Sequence, residues 1–243
     1  MQRAMVTSAT YRQSSKVTPA QLEKDPDNRL LARGPRVRLP AQMIRDQALA
    51  MAGLLVEKVG GPSVMPYQPS GVWADVAERG QEYRQAKGDD LYRRSLYTYW
   101  RRTSAPPAMT MLDASTRETF SVHQARTNTP LQALNLMNDV AYVEAARRLA
   151  ERLMVDGGAT PEARVAFAYR TATAQRPWPR AQMVLVNSFR QQLNRYKADR
   201  KAALALVSAG DSKRDETLDV TELAAYTMVA NLILNLDQTM TKE

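Results

Sequence analysis

Helix starts are the feature that most constrains this chain, because the local sequence specifies several of them in full. At Thr18-Pro19-Ala20-Gln21 and again at Thr129-Pro130-Leu131-Gln132, threonine can cap the helix, proline can take the first position and glutamine can bond back to the threonine N–H. This capping box satisfies backbone donors that a helix start otherwise leaves free. Thr160-Pro161-Glu162 and Asp219-Val220-Thr221-Glu222 carry related signals. We predict a helix at each of these sites.

Other helices follow from side chains that recur at helical spacing. One begins at Pro40 and is predicted to end at Val59-Gly60-Gly61-Pro62, with a buried face formed by Ile44, Ala48, Met51 and Leu55. Asn138-Asp139 interrupts the helix that starts at Thr129, where Leu131 and Leu134 are expected to point inward. Asp139 then caps a second helix. Its predicted inward residues are Ala141, Ala145, Leu149 and Leu153, and its predicted outward residues are Glu144, Arg147, Arg148 and Glu151.

Two long loops separate these helices. Residues 60–71 are rich in glycine and proline, and Tyr67 and Trp73 are predicted to anchor them to the core. Residues 103–128 form the second loop, in which Met109–Leu112 is predicted to be a short extended piece. Between the loops, residues 89–102 favour a helix capped by Asp90, although their Tyr, Thr and Trp content suits a strand equally well.

The composition indicates one mainly α domain. Of the 243 residues, 44% are hydrophobic and 24% are charged, which is typical of a globular protein able to bury a sizeable core. Ala, Leu, Arg, Gln and Met, all good helix formers, are frequent. We predict an irregular helical domain with long Pro/Gly-rich loops, at most a few short strands, and a helical bundle portion over residues 129–243.

The net charge of +9 and the pI of about 9.9 favour acidic partners such as nucleic acid, anionic glycans or anionic lipid heads. The basic residues form separate pairs among acidic ones, for example Arg93/Arg94 and Arg147/Arg148. This spacing favours a solvated basic surface over a dedicated nucleic-acid face. No apolar run approaches the length of a membrane span.

The chain has no cysteine, which removes disulfides, thiolate nucleophiles, Cys-ligated zinc and Cys-attached haem. We therefore expect no cofactor in this chain. His123 is the only histidine, and no serine near it lies in a recognisable nucleophile motif. The acidic groups at 89–90 and 211–219 lack calcium-loop spacing and are interpreted as helix caps and solvated loops. We assign no catalytic and no metal-binding residue.

Two sets of residues remain as candidate sites. The polar set Asp113, Arg117, Arg126 and Asn128 can form a charge-assisted network that fixes a loop to a helix, or can bind an acidic or polyhydroxylated ligand. The aromatic set Tyr92, Tyr97, Tyr99 and Trp100 lies among four arginines and could stack on sugars or bases. The structural network and core packing are the favoured interpretations.

Several segments occur together in the order known from one family. They are Ile44-Arg45-Asp46-Gln47-Ala48, Gly60-Gly61-Pro62-Ser63-Val64, Tyr67-Gln68-Pro69, Tyr92-Arg93-Arg94-Ser95-Leu96-Tyr97, the run from Arg126 to Leu134, and Asn231-Leu232-Ile233-Leu234-Asn235-Leu236-Asp237. On these segments the chain resembles the C-terminal part of a domain of unknown function found in planctomycete surface and cytochrome-c-like proteins. The resemblance covers nearly all of the chain.

The resemblance implies a context and no reaction. Relatives are multidomain exported proteins, many with a c-type haem region and another uncharacterised domain before this one. It implies an extracytoplasmic location, periplasmic or at the cell surface, and haem only in those other domains. The preceding domains of the parent protein become the expected partners, with glycan or another protein as further ones. The first residues have no signal peptide and read like the inside of a helix, so we expect the chain to start within a larger protein.

Three functions stay open at this point. The favoured one is a noncatalytic recognition or structural module of a larger exported protein. The first alternative is a fragment of a redox or hydrolytic enzyme whose site is completed by missing N-terminal domains. The second alternative is a basic nucleic-acid-binding module, for which the strong salt dependence of such binding provides a test.

Overall fold

The computed structural model describes residues 1–73, 82–120, 122 and 125–242. These residues form a mainly α structure, as predicted. The helices are α1 Gln2–Thr7, α2 Pro19–Lys24, α3 Ala41–Ala52, α4 Pro107–Thr110, α5 Pro130–Asn138, α6 Val140–Asp156, α7 Pro161–Thr173, α8 Pro179–Ala198, α9 Arg200–Val207, α10 Val220–Leu234 and α11 Asp237–Met240. Strands β1 Val37–Arg38 and β2 Thr241–Lys242 pair antiparallel, with Val37 opposite Lys242.

The chain divides into two compact units. The smaller one comprises Met1–Leu39 and the residues from Asp237 onward, and contains the β1–β2 pair. The larger one comprises Pro40–Leu236. The assignment of residues 1–243 to part of a single domain stays a prediction.

Helix α10 lies at the centre of the larger unit, where it packs against α6, α8 and α9. Most of its residues are buried, and Leu223, Tyr226, Ala230 and Ile233 have no exposed surface. A helix without a polar face is stable only when neighbours cover it completely. Helix α6 presents small residues, including Ala145 and Ala146, and also contacts α3 and α7.

Most predicted helix starts are confirmed. Thr18 and Thr129 each form a complete capping box with the glutamine three residues later. The Thr160 side chain accepts from the backbone N–H of Ala163, and Asp219 accepts from Thr221 and Glu222. Asp139 separates α5 from α6 and caps the latter, as expected.

Several local predictions were wrong. Helix α3 ends at Ala52 because Gly53 adopts a left-handed conformation with φ 70°, which leaves Leu55 in the following loop. Leu131 and Leu134 are 53% and 57% exposed, since α5 buries Gln132 and Leu136 instead. Met109–Leu112 was predicted to be extended, but residues 109–110 form the end of the short helix α4. The loop over 103–128 therefore contains a helical turn.

Residues 89–102 do not form the predicted α-helix. They contain two 3₁₀ turns, Gly88–Tyr92 and Ser95–Tyr97, with extended backbone between them. Backbone bonds with the loop before them hold this shape: the N–H of Val56 donates to Tyr92, and Val64 exchanges bonds with residues 97 and 99. A pairing with a segment so far away in sequence overrides local helix preference.

Candidate functional site

Asp113 is the centre of the predicted polar set. It follows α4 with φ 63°, a conformation that residues other than glycine rarely adopt. Its carboxylate accepts from the backbone N–H of Thr127 at 2.6 Å, from the Thr127 hydroxyl at 2.9 Å and from Gln132 Nε2 at 3.1 Å. The bonds to Thr127 therefore fix the middle of the second long loop to its C-terminal end.

Gln132 connects this loop to α5. It is only 2% exposed, and its amide oxygen closes the capping box with the Thr129 N–H. Its amide nitrogen donates to both Asp113 and the Thr127 hydroxyl. One glutamine thus caps a helix and binds two loop segments.

The other predicted polar residues lie on the surface. Arg117, Arg126 and Asn128 are exposed. The Arg117 guanidinium stacks over the Trp100 ring at 4.5 Å from its centroid, and Arg117 itself has φ 63°. The structure thus links Arg117 to the aromatic set, while Asp113 bonds with Thr127 and Gln132.

The four predicted aromatic residues point into different surroundings, because they lie on two 3₁₀ turns and the residues that follow them, and not on one α-helix. Tyr92 is buried and donates its hydroxyl to Glu144. Tyr97 lies under the Arg93 guanidinium and accepts from the N–H of Gly60. Tyr99 packs on Trp73 with ring centroids 5.8 Å apart, and Trp100 donates to the Thr116 carbonyl.

Helix α6 carries a buried charged cluster that the sequence analysis placed on its outer face. Glu144 and Arg147 have no exposed surface, and Glu151 is 4% exposed. Glu144 accepts from the hydroxyls of Tyr67 and Tyr92, each at 2.9 Å, and from the backbone N–H of Ser212 at 2.6 Å. The prediction that these side chains face water was therefore wrong.

Arg147 completes this cluster. Its guanidinium donates to Glu151 at 2.6 Å and to the carbonyl and hydroxyl of Ser212 at 2.7 and 2.5 Å, and lies 3.7 Å from Glu144. Arg148 pairs with the other oxygen of Glu151. Buried charges are tolerated only when paired and hydrogen-bonded in this way. The cluster binds the loop before α10 to α6.

The two tyrosines of this cluster are held in the neutral form. Burial, reinforced by the adjacent Glu144 carboxylate, raises the pKa of Tyr92 to about 12. The same causes raise the pKa of Tyr67 further. Both hydroxyls therefore act as hydrogen-bond donors at neutral pH, which is what the Glu144 carboxylate requires.

A small cavity of about 30 Å³, lined mainly by apolar atoms with a few polar groups, lies beside α3 and the start of α6. Arg45, Thr98, Asp139 and Tyr142 line it, with walls from Pro66, Pro69, Pro106 and Pro107. Arg45 donates to the carbonyls of Leu91 and Arg93, both at 2.9 Å, and to the Ser95 hydroxyl at 3.2 Å. The Thr98 hydroxyl is buried without a hydrogen-bond partner. The cavity has room for about one or two water molecules.

Burial dominates the electrostatics of this cavity. It raises the pKa of Asp139, against the opposing bond from the Ala141 N–H and the nearby charge of Arg45. It also lowers the pKa of Arg45 and raises that of Tyr142. Acidic and basic side chains with shifted pKa values around one cavity occur both at active sites and in structural ion pairs.

The predicted acidic loops contain helix and turn caps. Asp215 accepts from the N–H and hydroxyl of Thr217, and Asp219 caps α10. In the part of the chain that the structure describes, no group of three His, Asp or Glu residues could hold a metal ion. None of the described helices is long and apolar enough to cross a membrane. His123 lies outside the described residues.

A family model described as protein of unknown function DUF1553 matches residues 1–189. The chain belongs to this family. The resemblance inferred from the separate segments is thereby confirmed at the level of the domain. Comparisons with curated proteins and with solved structures find no match.

The central residues of this DUF1553 chain include several that sequence reasoning missed. Glu144, Arg147 and Glu151 have the spacing of an exposed ion-pair series on a helix, so no local signal separates them from surface residues. Their partner Ser212 lies in a loop more than sixty residues later. A hint was present in Ser208–Ser212, whose small residues leave space for large side chains of another element.

Proposed function

We propose that this DUF1553 chain is a noncatalytic structural and recognition module of a larger exported multidomain protein. The observation that carries the proposal is the Glu144–Arg147–Glu151 cluster. These are the most deeply buried charged groups of α6, and their bonds go to tyrosine hydroxyls and to the backbone of the loop before α10. Groups bonded in this way maintain loop conformation.

Three other arginines support the same proposal. Arg93 is 1% exposed and donates to the carbonyls of Lys58, Gly60 and Pro62. Arg152 donates to the carbonyl of Met51, and Arg45 holds residues 91–95. Guanidinium groups present several donors in a fixed plane, so one side chain can bind several carbonyls. Part of the basic excess thus serves to fix loops.

The proposed partners are the preceding domains of the same parent protein, with an extracytoplasmic glycan or another protein as further candidates. A rigid set of loops on a helical core is suited to presenting a constant surface, because loops carry most recognition residues when a scaffold holds them. In this proposal the chain itself binds no cofactor, and haem belongs to other domains of the parent.

An enzyme fragment is the second candidate, favoured by the cavity around Arg45, Asp139 and Tyr142. Its shifted groups and the unpartnered Thr98 hydroxyl would serve a small polar substrate if another domain completed the site. The net charge of +9 favours nucleic-acid binding as a third candidate.

The test compares binding and activity in the full-length parent. The module proposal expects this chain, added as a separate protein, to bind the upstream domains in calorimetry, or a glycan on an array. It also expects Asp139→Asn to leave any activity of the parent intact. Loss of that activity with an unchanged melting temperature would support the enzyme fragment and overturn the proposal. Absence of binding in both assays counts against it as well.

A further inference from the structure

Residues 163–198, which cover most of α7 and all of α8, have one sign of charge. Between Glu162 and Asp199 the sequence contains no aspartate or glutamate, and its basic residues are Arg164, Arg170, Arg176, Arg180, Arg190, Arg195 and Lys197. The interleaving of basic and acidic residues expected from the sequence does not hold here. This part of the chain attracts acidic partners.

Several of these charges are free for a partner. Arg164 pairs with Glu222 at 2.7 Å, and Arg190 pairs with Glu162 at 3.2 Å. In contrast, Arg170, Arg176 and Arg180 are exposed, and no carboxylate of the described residues pairs with them. All three lie near the junction of α7 and α8.

The same junction holds an apolar groove of about 410 Å³. Its walls are Tyr169, Trp178, Ala181, Val184, Leu185 and Leu236, with Arg180 at its rim. Trp178 meets Tyr169 edge to face at 6.2 Å and is still 50% exposed, while Val184 is 56% exposed. An exposed tryptophan beside aliphatic side chains is typical of interaction sites. Asp237, which follows Leu236 in the chain, pairs with Arg36.

We propose that this groove binds a segment of a partner protein in which an apolar side chain is flanked by carboxylates. The groove has room for one or two large apolar side chains. Arg180 at its rim matches a carboxylate, and Arg170 and Arg176 follow and precede groove residues closely in the sequence. This proposal rests on the recognition role proposed above and adds the chemistry of the partner. The groove lies on a surface that contains no residue of the two candidate sets predicted from the sequence, the polar set around Asp113 and the aromatic set of residues 92–100.

A protein segment fits the groove better than nucleic acid does. Single-stranded nucleic acid stacks its bases on open aromatic faces along a basic track. Here the aromatic pair is packed edge to face, and the remaining walls are aliphatic. Aliphatic walls favour an apolar side chain inserted between them, with the charges acting at the rim.

The test is a selection of peptides from a random-sequence display library on the immobilised full chain. Recovered peptides are expected to contain an apolar residue flanked by Asp or Glu and, once synthesised with a fluorescent label, to bind more weakly as salt increases. Trp178→Ala and Arg180→Glu should each weaken this binding about 30-fold, the size expected for a central contact. Glutamate is favourable in the first turn of a helix, so Arg180→Glu should leave α8 folded.

Lys197→Glu is the matched control, because it reverses one charge at the other end of α8. It should change the affinity by less than about threefold, since its effect is long-range only. Recovery of no peptides, of peptides without acidic enrichment, or of peptides that bind both groove variants normally would overturn the proposal. An oligonucleotide that displaces the peptides and loses affinity with Trp178→Ala would also overturn it. None of these outcomes depends on the Glu144–Arg147–Glu151 cluster. The structural role proposed for that cluster can therefore be tested independently of the groove.

Discussion

Buried arginine side chains hold segments that are distant in the sequence in place. Arg45, Arg93 and Arg147 are almost fully buried, and each donates to backbone carbonyls of segments distant in sequence. From the sequence, Arg93 and Arg147 were expected on a basic surface. Carboxylates lie beside two of the three guanidinium groups, Asp46 beside Arg45 and both Glu144 and Glu151 beside Arg147.

Arg147→Leu tests the buried cluster. The change leaves Glu144 and Glu151 without their cationic partner inside the protein, and it removes the bonds to Ser212. We expect the free energy of unfolding to fall by about 3–5 kcal/mol, as is typical when one partner of a buried pair is removed. Chemical denaturation with far-UV circular dichroism measures the change.

Arg190→Ala is the control, because Arg190 forms an exposed ion pair with Glu162. It should cost less than about 1 kcal/mol. A similar small loss for Arg147→Leu would show that the cluster contributes little to folding.

Asp139→Asn tests the charge in the cavity through pH. Burial raises the pKa of Asp139 above its usual 3.8, so the folded protein keeps this proton to higher pH than the unfolded chain does. The stabilising contribution of Asp139 is full below the unfolded pKa and is lost as pH rises through the folded pKa. The stability of the variant relative to the wild type should therefore increase with pH across this window and then level off. Urea denaturation at a series of pH values measures it, and parallel curves would contradict it. Asparagine caps helices as well as aspartate, which isolates the charge.

Capping residues explain why the elements could be predicted as far as they were. Thr18, Thr129, Thr160 and Asp219 act within their own helix, so a single sequence contains the whole signal. The segment over 89–102 and the charged face of α6 depend on partners far along the chain, such as Val56, Val64 and Ser212. Asp113 was named in the candidate polar set, but its partners Thr127 and Gln132 were not, and Gln132 was identified only as a cap.

Gln132→Ala tests whether this cap also holds the loop. The change removes the capping bond and the bonds to Asp113 and Thr127, and we expect a loss of about 2 kcal/mol. The Thr127 amide, which donates to Asp113, should also exchange its hydrogen faster. Hydrogen exchange by NMR and denaturation provide the two measurements.

Gln21→Ala is the matched change in the other complete capping box. Gln21 is exposed and the bonds of its side chain go to Thr18, so its loss should be about 0.5–1 kcal/mol or less. Equal effects of the two substitutions would argue that Gln132 is only a helix cap.

The core of the whole molecule lies in one unit. Every buried hydrophobic side chain of the described residues lies between Ala41 and Leu234, with the exception of Met240. Helix α10, which closes this core, comes after the residues that match the family model. The residues matched by the family model therefore do not include the helix at the centre of this core.

A chain of residues 40–236 should fold by itself. It retains α3, α6, α7, α8 and α10, and we expect a helical circular dichroism spectrum and one cooperative thermal transition. A chain of residues 40–219, which lacks α10, should lose that transition because α6 and α8 then expose their buried faces. Broad unfolding of the longer chain would show that the core needs residues outside it.

The contact between Gly210 and Glu144 couples the amino acids that positions 210 and 144 can accommodate. It has φ 89°, and a β-carbon at this residue would overlap the carboxyl group of Glu144. A side chain at 210 would therefore force the buried Glu144 carboxyl group away from its hydrogen-bond partners. We expect homologous chains that replace this glycine to have exchanged the glutamate for a smaller residue as well.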